Sequence, residues 1–267
     1  MKRLIRTLRL IGVASTEQVR AERAYLGNFW FGMLTKLMYN LMFILFIDQL
    51  YHRVGQLGDF SKNEFLFLYL VSQLGFYICY YGIFFALKKL ILTVRTGSFD
   101  LLLLKPVPHR AFLYISGMSA FELVLTALPS LLILGGLINW GGLHVSLLSL
   151  GLGLVIWTSG IIICNTFLFG LVLPVFSRGD SSDALDVFYS ITSMGQQPFS
   201  KLPNAMKVAA MVIFPQILIA GAAGEVLLIK QEGFLVPLMA AGAAAVAIIV
   251  FQLMWRYALR NYTSASS

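Results

Sequence analysis

The chain has 267 residues, 58% of them hydrophobic and only 12% charged, with a mean hydropathy of +0.81. Soluble domains carry about 25% charge, so the composition excludes an ordinary water-soluble domain and predicts an all-α integral membrane protein. The net charge of +8 does not point to nucleic acid, because the cations cluster beside apolar runs, where they fix topology and meet anionic lipid headgroups.

Residues 1–23 carry Lys2, Arg3, Arg6, Arg9, Arg20 and Arg23, with Leu4, Ile5, Leu8 and Ile11 at helical spacing on another face. That pattern predicts an amphipathic interfacial helix in the headgroup plane. Two roles are open to it: an elbow that feeds the first span and touches a partner, or an anchor that only sets orientation. No short apolar region with a small-residue cleavage site precedes the first apolar run, so no removable signal peptide is expected. The first predicted span, about 24–50, contains Lys36 and ends near Asp48. The second, about 64–87, is rich in aromatics, among them Phe76, Tyr77, Tyr80, Tyr81, Phe84 and Phe85. They serve helix packing and lipid contact, or they line a route for an amphipathic cargo.

Residues 88–110 form a basic segment between two apolar runs, with Lys88, Lys89, Arg95, Lys105 and Arg110 against one acid, Asp100. Gly97 and Ser98 predict a turn. Asp100 is placed to cap a short helix from Leu101 to Leu104, which Pro106 and Pro108 stop. Its cationic bias puts the segment on the cytoplasmic side. A third span is predicted over about 111–138, with Glu122 inside it, and a tight turn at Trp140, Gly141 and Gly142. The fourth, about 145–175, includes Gly151, Gly153 and Gly160, which permit close helix approach, and Pro174 ends it. A polar turn follows at 177–186, where Ser181, Ser182 and Asp183 are available as helix caps. Asp180, Asp183 and Asp186 lack the glycine and terminal glutamate of a calcium loop, so no metal site is assigned.

A fifth span is expected over about 184–199 and a sixth over about 234–255, beside Arg256 and Arg260. Between them, residues 206–223 are interrupted by Pro215 and read as a re-entrant hairpin entered from outside. Six spans put both termini in the cytoplasm, and 261–267 form a polar tail. The tally agrees: fourteen cations fall inside and Arg53, Lys62, Lys201, Lys207 and Lys230 outside, as the positive-inside rule requires.

No phosphate-cradling GxxxxGK[ST] occurs, and no catalytic or cofactor-binding constellation is apparent. His52, His109 and His144 are single loop residues, and Cys79 and Cys164 fall inside apolar spans as small buried residues. Lys36 and Glu122 read as the only ionisable groups well inside apolar spans. At similar depth they either pair or put one charge toward a cargo path, the plainer options being a structural pair or a snorkelling lysine. Ala240 to Ala245 make a smooth stripe for close contact within the chain or with another copy.

The string TGSFDLLLLKPV resembles the cytoplasmic signature between the second and third spans of ABC-2 type exporter permeases. VRAERAYLGNFWFG and FPQILIAGAAGEVLL resemble the small six-span branch of that family, which mostly lacks an assigned substrate. The resemblance implies an exporter's transmembrane subunit in the bacterial cytoplasmic (inner) membrane, with an outer hairpin between the last two spans. It also implies two ABC ATPase subunits that bind ATP and Mg in place of this chain, and a second permease copy or a related permease as partner. The coupling contacts would then be Arg95, Gly97, Asp100, Leu101, Lys105, Pro106, Pro108 and Arg110, with cations also meeting lipid phosphate. The rival class is a secondary transporter driven by an ion gradient, but such carriers show internal repeats and several intramembrane charges, and neither is evident. A membrane scaffold is the third reading.

Overall fold

A computed structural model describes residues 26–55, 60–105, 108–118, 123, 127–178, 181, 183, 185–187, 203, 215–229 and 233–262. The amphipathic segment 1–23, the tail beyond 262, nearly all of 184–199 and the first part of the 206–223 hairpin lie outside those residues. Among the described residues, four helices are long and apolar enough to cross a membrane. They are α1 (Leu26–Val54), α2 (Lys62–Arg95), α6 (Leu147–Val172) and α9 (Leu235–Arg260). Shorter elements complete the bundle: α3 (Ser98–Leu103), α4 (His109–Gly117), α5 (Leu128–Leu137), α7 (Val175–Arg178) and α8 (Pro215–Leu227).

Local chemistry sets several helix starts. Ser61 and Glu64 form a reciprocal capping box at the head of α2, and Ser146 and Ser149 do the same for α6, so orphan amide donors are satisfied at both helix starts. Asn63 clasps Asn139 by donating to its carbonyl and accepting from its amide, each at 2.8 Å. Lys62 pairs with Asp48 of α1. The loop after α5 is therefore tied to the head of α2, and α1 to α2.

Several boundaries differ from the sequence reading. The second helix runs on past residue 87, the expected end of the second span. It continues to Arg95 through a π-helical turn at Cys79–Phe84, because Leu90, Ile91 and Val94 are buried and carry the apolar face onward. Lys88 and Lys89 therefore stand on a helix, where Lys89 donates to the carbonyl of Ser116 at 2.6 Å. That carbonyl belongs to the last turn of α4, which has no intrahelical partner for it. The predicted third span is not one rod: α4 ends at Met118, whose backbone turns extended. Gly117 lies so close to α2 that a Cβ would stand 2.5 Å from the Ala86 Cα, which fixes the break against its neighbour.

Three helices run toward the end that carries residues 88–110, here the basic end. Thr166 of α6 donates to the Ala247 carbonyl of α9 at 3.2 Å, and Phe169 meets Phe251 at 4.8 Å, so α6 and α9 are parallel. Both are also parallel to α2. The chain must therefore return to the opposite end between them. The final limb of that return is α8, which lies antiparallel to α6: Ile219 is beside Gly160, and Leu227 is beside Gly153. Every residue from Pro215 to Leu228 is buried.

Glycines make room for α8. An added Cβ would stand 1.9 Å from Ile219 Cγ2 at Gly75, 2.6 Å from Ile219 Cγ1 at Gly160 and 2.5 Å from Leu227 Cγ at Gly153. In lipid, helix association depends on such close van der Waals fit rather than on hydrophobic exclusion. Trp157 packs against three of the bundle's apolar clusters and joins them.

A polar seam holds α1 to α2. Tyr69 donates to Asn40 Oδ1 at 2.6 Å, and Asn40 Nδ2 donates to the Tyr77 hydroxyl at 3.1 Å. Tyr77 also bonds Ser130 of α5. Interhelical bonds in membranes average about 0.6 kcal/mol and reach about 1.7. Asn40→Leu, which removes two, should therefore lower stability by about 1–3 kcal/mol. Thermal unfolding in detergent checks this, with Thr35→Val, whose hydroxyl bonds only within α1, as the neutral control.

Candidate functional site

The basic end presents a short helix clamped against the bundle. After Arg95 the chain turns at Thr96 and Gly97, and Gly97 has φ +69°, a left-handed conformation that glycine adopts without Cβ strain. The turn is pinned by its own hydroxyls: Thr96 donates to the Leu92 carbonyl at 2.9 Å, and Ser98 donates to the Thr93 carbonyl at 3.3 Å. α3 then runs from Ser98 to Leu103 with Gly97 in the N-cap position. The predicted capping role of Asp100 is therefore corrected. The helix starts three residues earlier than expected, and Asp100 lies inside its first turn, where a carboxylate still favours the positive end of the helix dipole.

α3 has two faces. Phe99 is 0% exposed and Leu102 is 5% exposed, whereas Leu101 is 64% and Leu104 81% exposed. The Phe99 ring meets Phe176 at 5.5 Å and Tyr262 at 5.1 Å, both edge-on. Phe176 in turn meets Trp255 at 6.3 Å. One aromatic cluster thus joins α3 to the short α7 beyond the fourth span and to the end of α9. Neither Phe99 nor its partners were selected from sequence. The signal was present in an aromatic residue within a polar turn, but its partners lie 77 and 163 positions away in the chain.

The other predicted contacts are placed as follows. Arg95, Lys105 and Arg110 are exposed. Lys105 Nζ stands 5.3 Å from the Phe112 ring centroid, and the Arg110 guanidinium carbon stands 5.9 Å from that of Trp255 and 6.0 Å from that of Phe251, distances at which a cation is attracted by a ring face. Arg110 thereby braces α4 against α9. Pro108 is the N-cap residue of α4 rather than a simple stop, and Pro106 lies outside the described residues.

The intramembrane pair resolves only in part. Lys36 Nζ sits 4.3 Å from the ring centroid of Tyr81 and 5.9 Å from that of Tyr80, so aromatic faces of the second helix receive its charge. Glu122 lies outside the described residues. The sequence reading overlooked Glu225, which is fully buried in α8 within the apolar run GAAGEVLL. Cys79 and Cys164 are free and buried in one cluster. Among the described residues no group of acids, histidines and cysteines is arranged to hold a metal.

Long apolar helices, buried small-residue contacts and a clamped helix at one end define a multi-pass helical membrane protein with a candidate docking surface. Residues 37–266 match the family described as ABC-2 family transporter protein, so this chain belongs to the ABC-2 transporter family. No curated protein and no solved structure shows significant similarity to it.

Proposed function

We propose that the chain is the transmembrane permease subunit of an ABC exporter that moves an amphipathic cargo outward. Two separate ATPase subunits bind ATP and Mg and dock beneath it, and a second copy or a related permease completes the cargo route. The fold is six-spanning, with the N-terminal amphipathic helix and both termini on the cytoplasmic side of a bacterial inner membrane. α8 is then the outgoing limb of a hairpin that enters from outside.

The observation that carries this reading is the division of α3 into a buried and an exposed face. Apolar Leu101 and Leu104 project from a segment whose other face is locked to α7 and to the end of α9. Exposed apolar residues on such a base suit a protein contact. ATP-driven closure of the motors pushes α3, and the aromatic cluster passes the displacement to α7 and α9 as a rigid-body shift. Arg95, Lys105 and Arg110 contact the motors or lipid phosphate, Gly97 sets the turn, and Asp100 holds the first helical turn. Pro106 and Pro108 limit the segment on its far side.

Affinity purification of the chain from its native membrane tests the reading. A Walker-motif ATPase should co-purify, and Leu101→Glu with Leu104→Glu should lose it while the permease keeps its elution volume and thermal midpoint. A chain that transports without any such ATPase, driven by a proton or sodium gradient alone, would refute the proposal.

A further inference from the structure

At the end opposite α3, the bundle holds a cavity of about 640 Å³ between α2, α6 and the 139–146 loop. Phe67, Val71 and Leu74 form one wall, Leu150, Leu154 and Trp157 the other, and Leu227 of α8 reaches its inner side. Its size falls within the range of about 300–1,000 Å³ typical of ligand sites. The lining is apolar apart from two indoles, and the Trp140 indole nitrogen is already committed to the Gly135 carbonyl at 2.9 Å. A buried water needs two to four polar partners, which this lining does not offer. An empty space of this volume would forfeit dispersion contacts along every wall.

The opening decides what fills it. Leu74, Leu150 and Leu154 are exposed on helices long and apolar enough to span a membrane, so the mouth faces bilayer hydrocarbon. Trp157 stands about 15 Å along α6 from its first residue, at 1.5 Å per residue. The cavity thus runs from the interface toward mid-bilayer, the direction of an acyl chain. Next to Trp140 of the lining, Asn63 and Asn139 form the polar clasp at the head of α2.

We infer that this cavity seats one hydrocarbon chain of a bilayer lipid, which packs against Trp157 and supports Leu227 of α8 from the side that the protein leaves open. The inference rests on the chain's embedding in a membrane and not on the exporter reading, so either can fail without the other.

The full-length chain is reconstituted, without any ATPase, into vesicles of phosphatidylcholine brominated on its acyl chains and into matched unbrominated vesicles. A variant with Trp30→Phe, Trp140→Phe and Trp255→Phe reports from Trp157 alone, and its emission should fall at least two-fold in the brominated vesicles. Leu150→Phe with Leu154→Phe added to that variant fills the mouth and should restore at least half of the lost emission. Should the triple variant fail to fold, the native chain is compared with Trp157→Phe, and the difference spectrum must show the same two-fold loss. Emission indifferent to bromine would overturn the assignment: with strong acrylamide quenching the cavity holds water, and without it a protein side chain occupies the space.

Discussion

Gly75→Ala should destabilise the bundle by about 1–3 kcal/mol, the usual cost of overpacking, and most of that penalty should vanish when Ile219 is first shortened. The new Cβ would stand 1.9 Å from Ile219 Cγ2. Ile219 cannot retreat, because Gly160 receives its Cγ1 on the other side and a Cβ there would be 2.6 Å away. The side chain is β-branched and stiff about χ1, and α8 is buried along its whole length. Ile219→Ala alone should cost about 2–5 kcal/mol through the cavity it leaves. In that background, the atoms nearest the new methyl are Trp157 Nε1 at 3.3 Å and the Cβ of residue 219 at 3.4 Å, and Gly75→Ala should be close to neutral. Thermal unfolding of the four proteins in one detergent closes the cycle. Additive effects would mean that Ile219 does not lie between the two glycines.

Phe99→Ala should release α3 from the bundle without preventing insertion. A buried phenylalanine truncated to alanine costs about 3–5 kcal/mol, and here the whole ring is lost from contact with Phe176 and Tyr262. α3 has only six residues, too few to be a stable helix without tertiary support. Amide exchange over residues 98–104 should accelerate by about two to four decades, while α6 and α9 keep their protection. In the proposed complex with its ATPases, hydrolysis would continue and transport would stop, because the pushed helix no longer moves α7 and α9. Phe99→Leu retains apolar volume and should recover most of the protection. Unchanged exchange in Phe99→Ala would show that the turn at Gly97, and not the ring, holds α3.

These two sites show how the sequence divides the problem. Membrane residence, the long apolar helices and the short helix between basic flanks were legible from composition and periodicity, since a bilayer imposes apolar length on any span. The glycines of the fourth span were readable as contact points, but not their occupant. Gly153 and Gly160 receive a segment more than fifty positions later in the chain, and Gly75 was not singled out at all. The membrane span was ended at residue 87, before Lys88 and Lys89, with a helix end expected ahead of the Gly97–Ser98 turn, and burial of Leu90, Ile91 and Val94 shows how far that helix end extends. Glu225 was overlooked because the hairpin was ended at Ala223, two residues before it.

By itself, the sequence determined that this chain lives in a membrane and that a short helix stands between basic flanks in residues 88–110. Those properties depend on local composition and on spacing along the chain. Only the tertiary structure decided that α8 fills a glycine-lined groove and that Phe99 joins α3 to α7 and α9. In each case the partners are remote in sequence, and close packing, unlike hydropathy, leaves no periodic mark on the residues that achieve it.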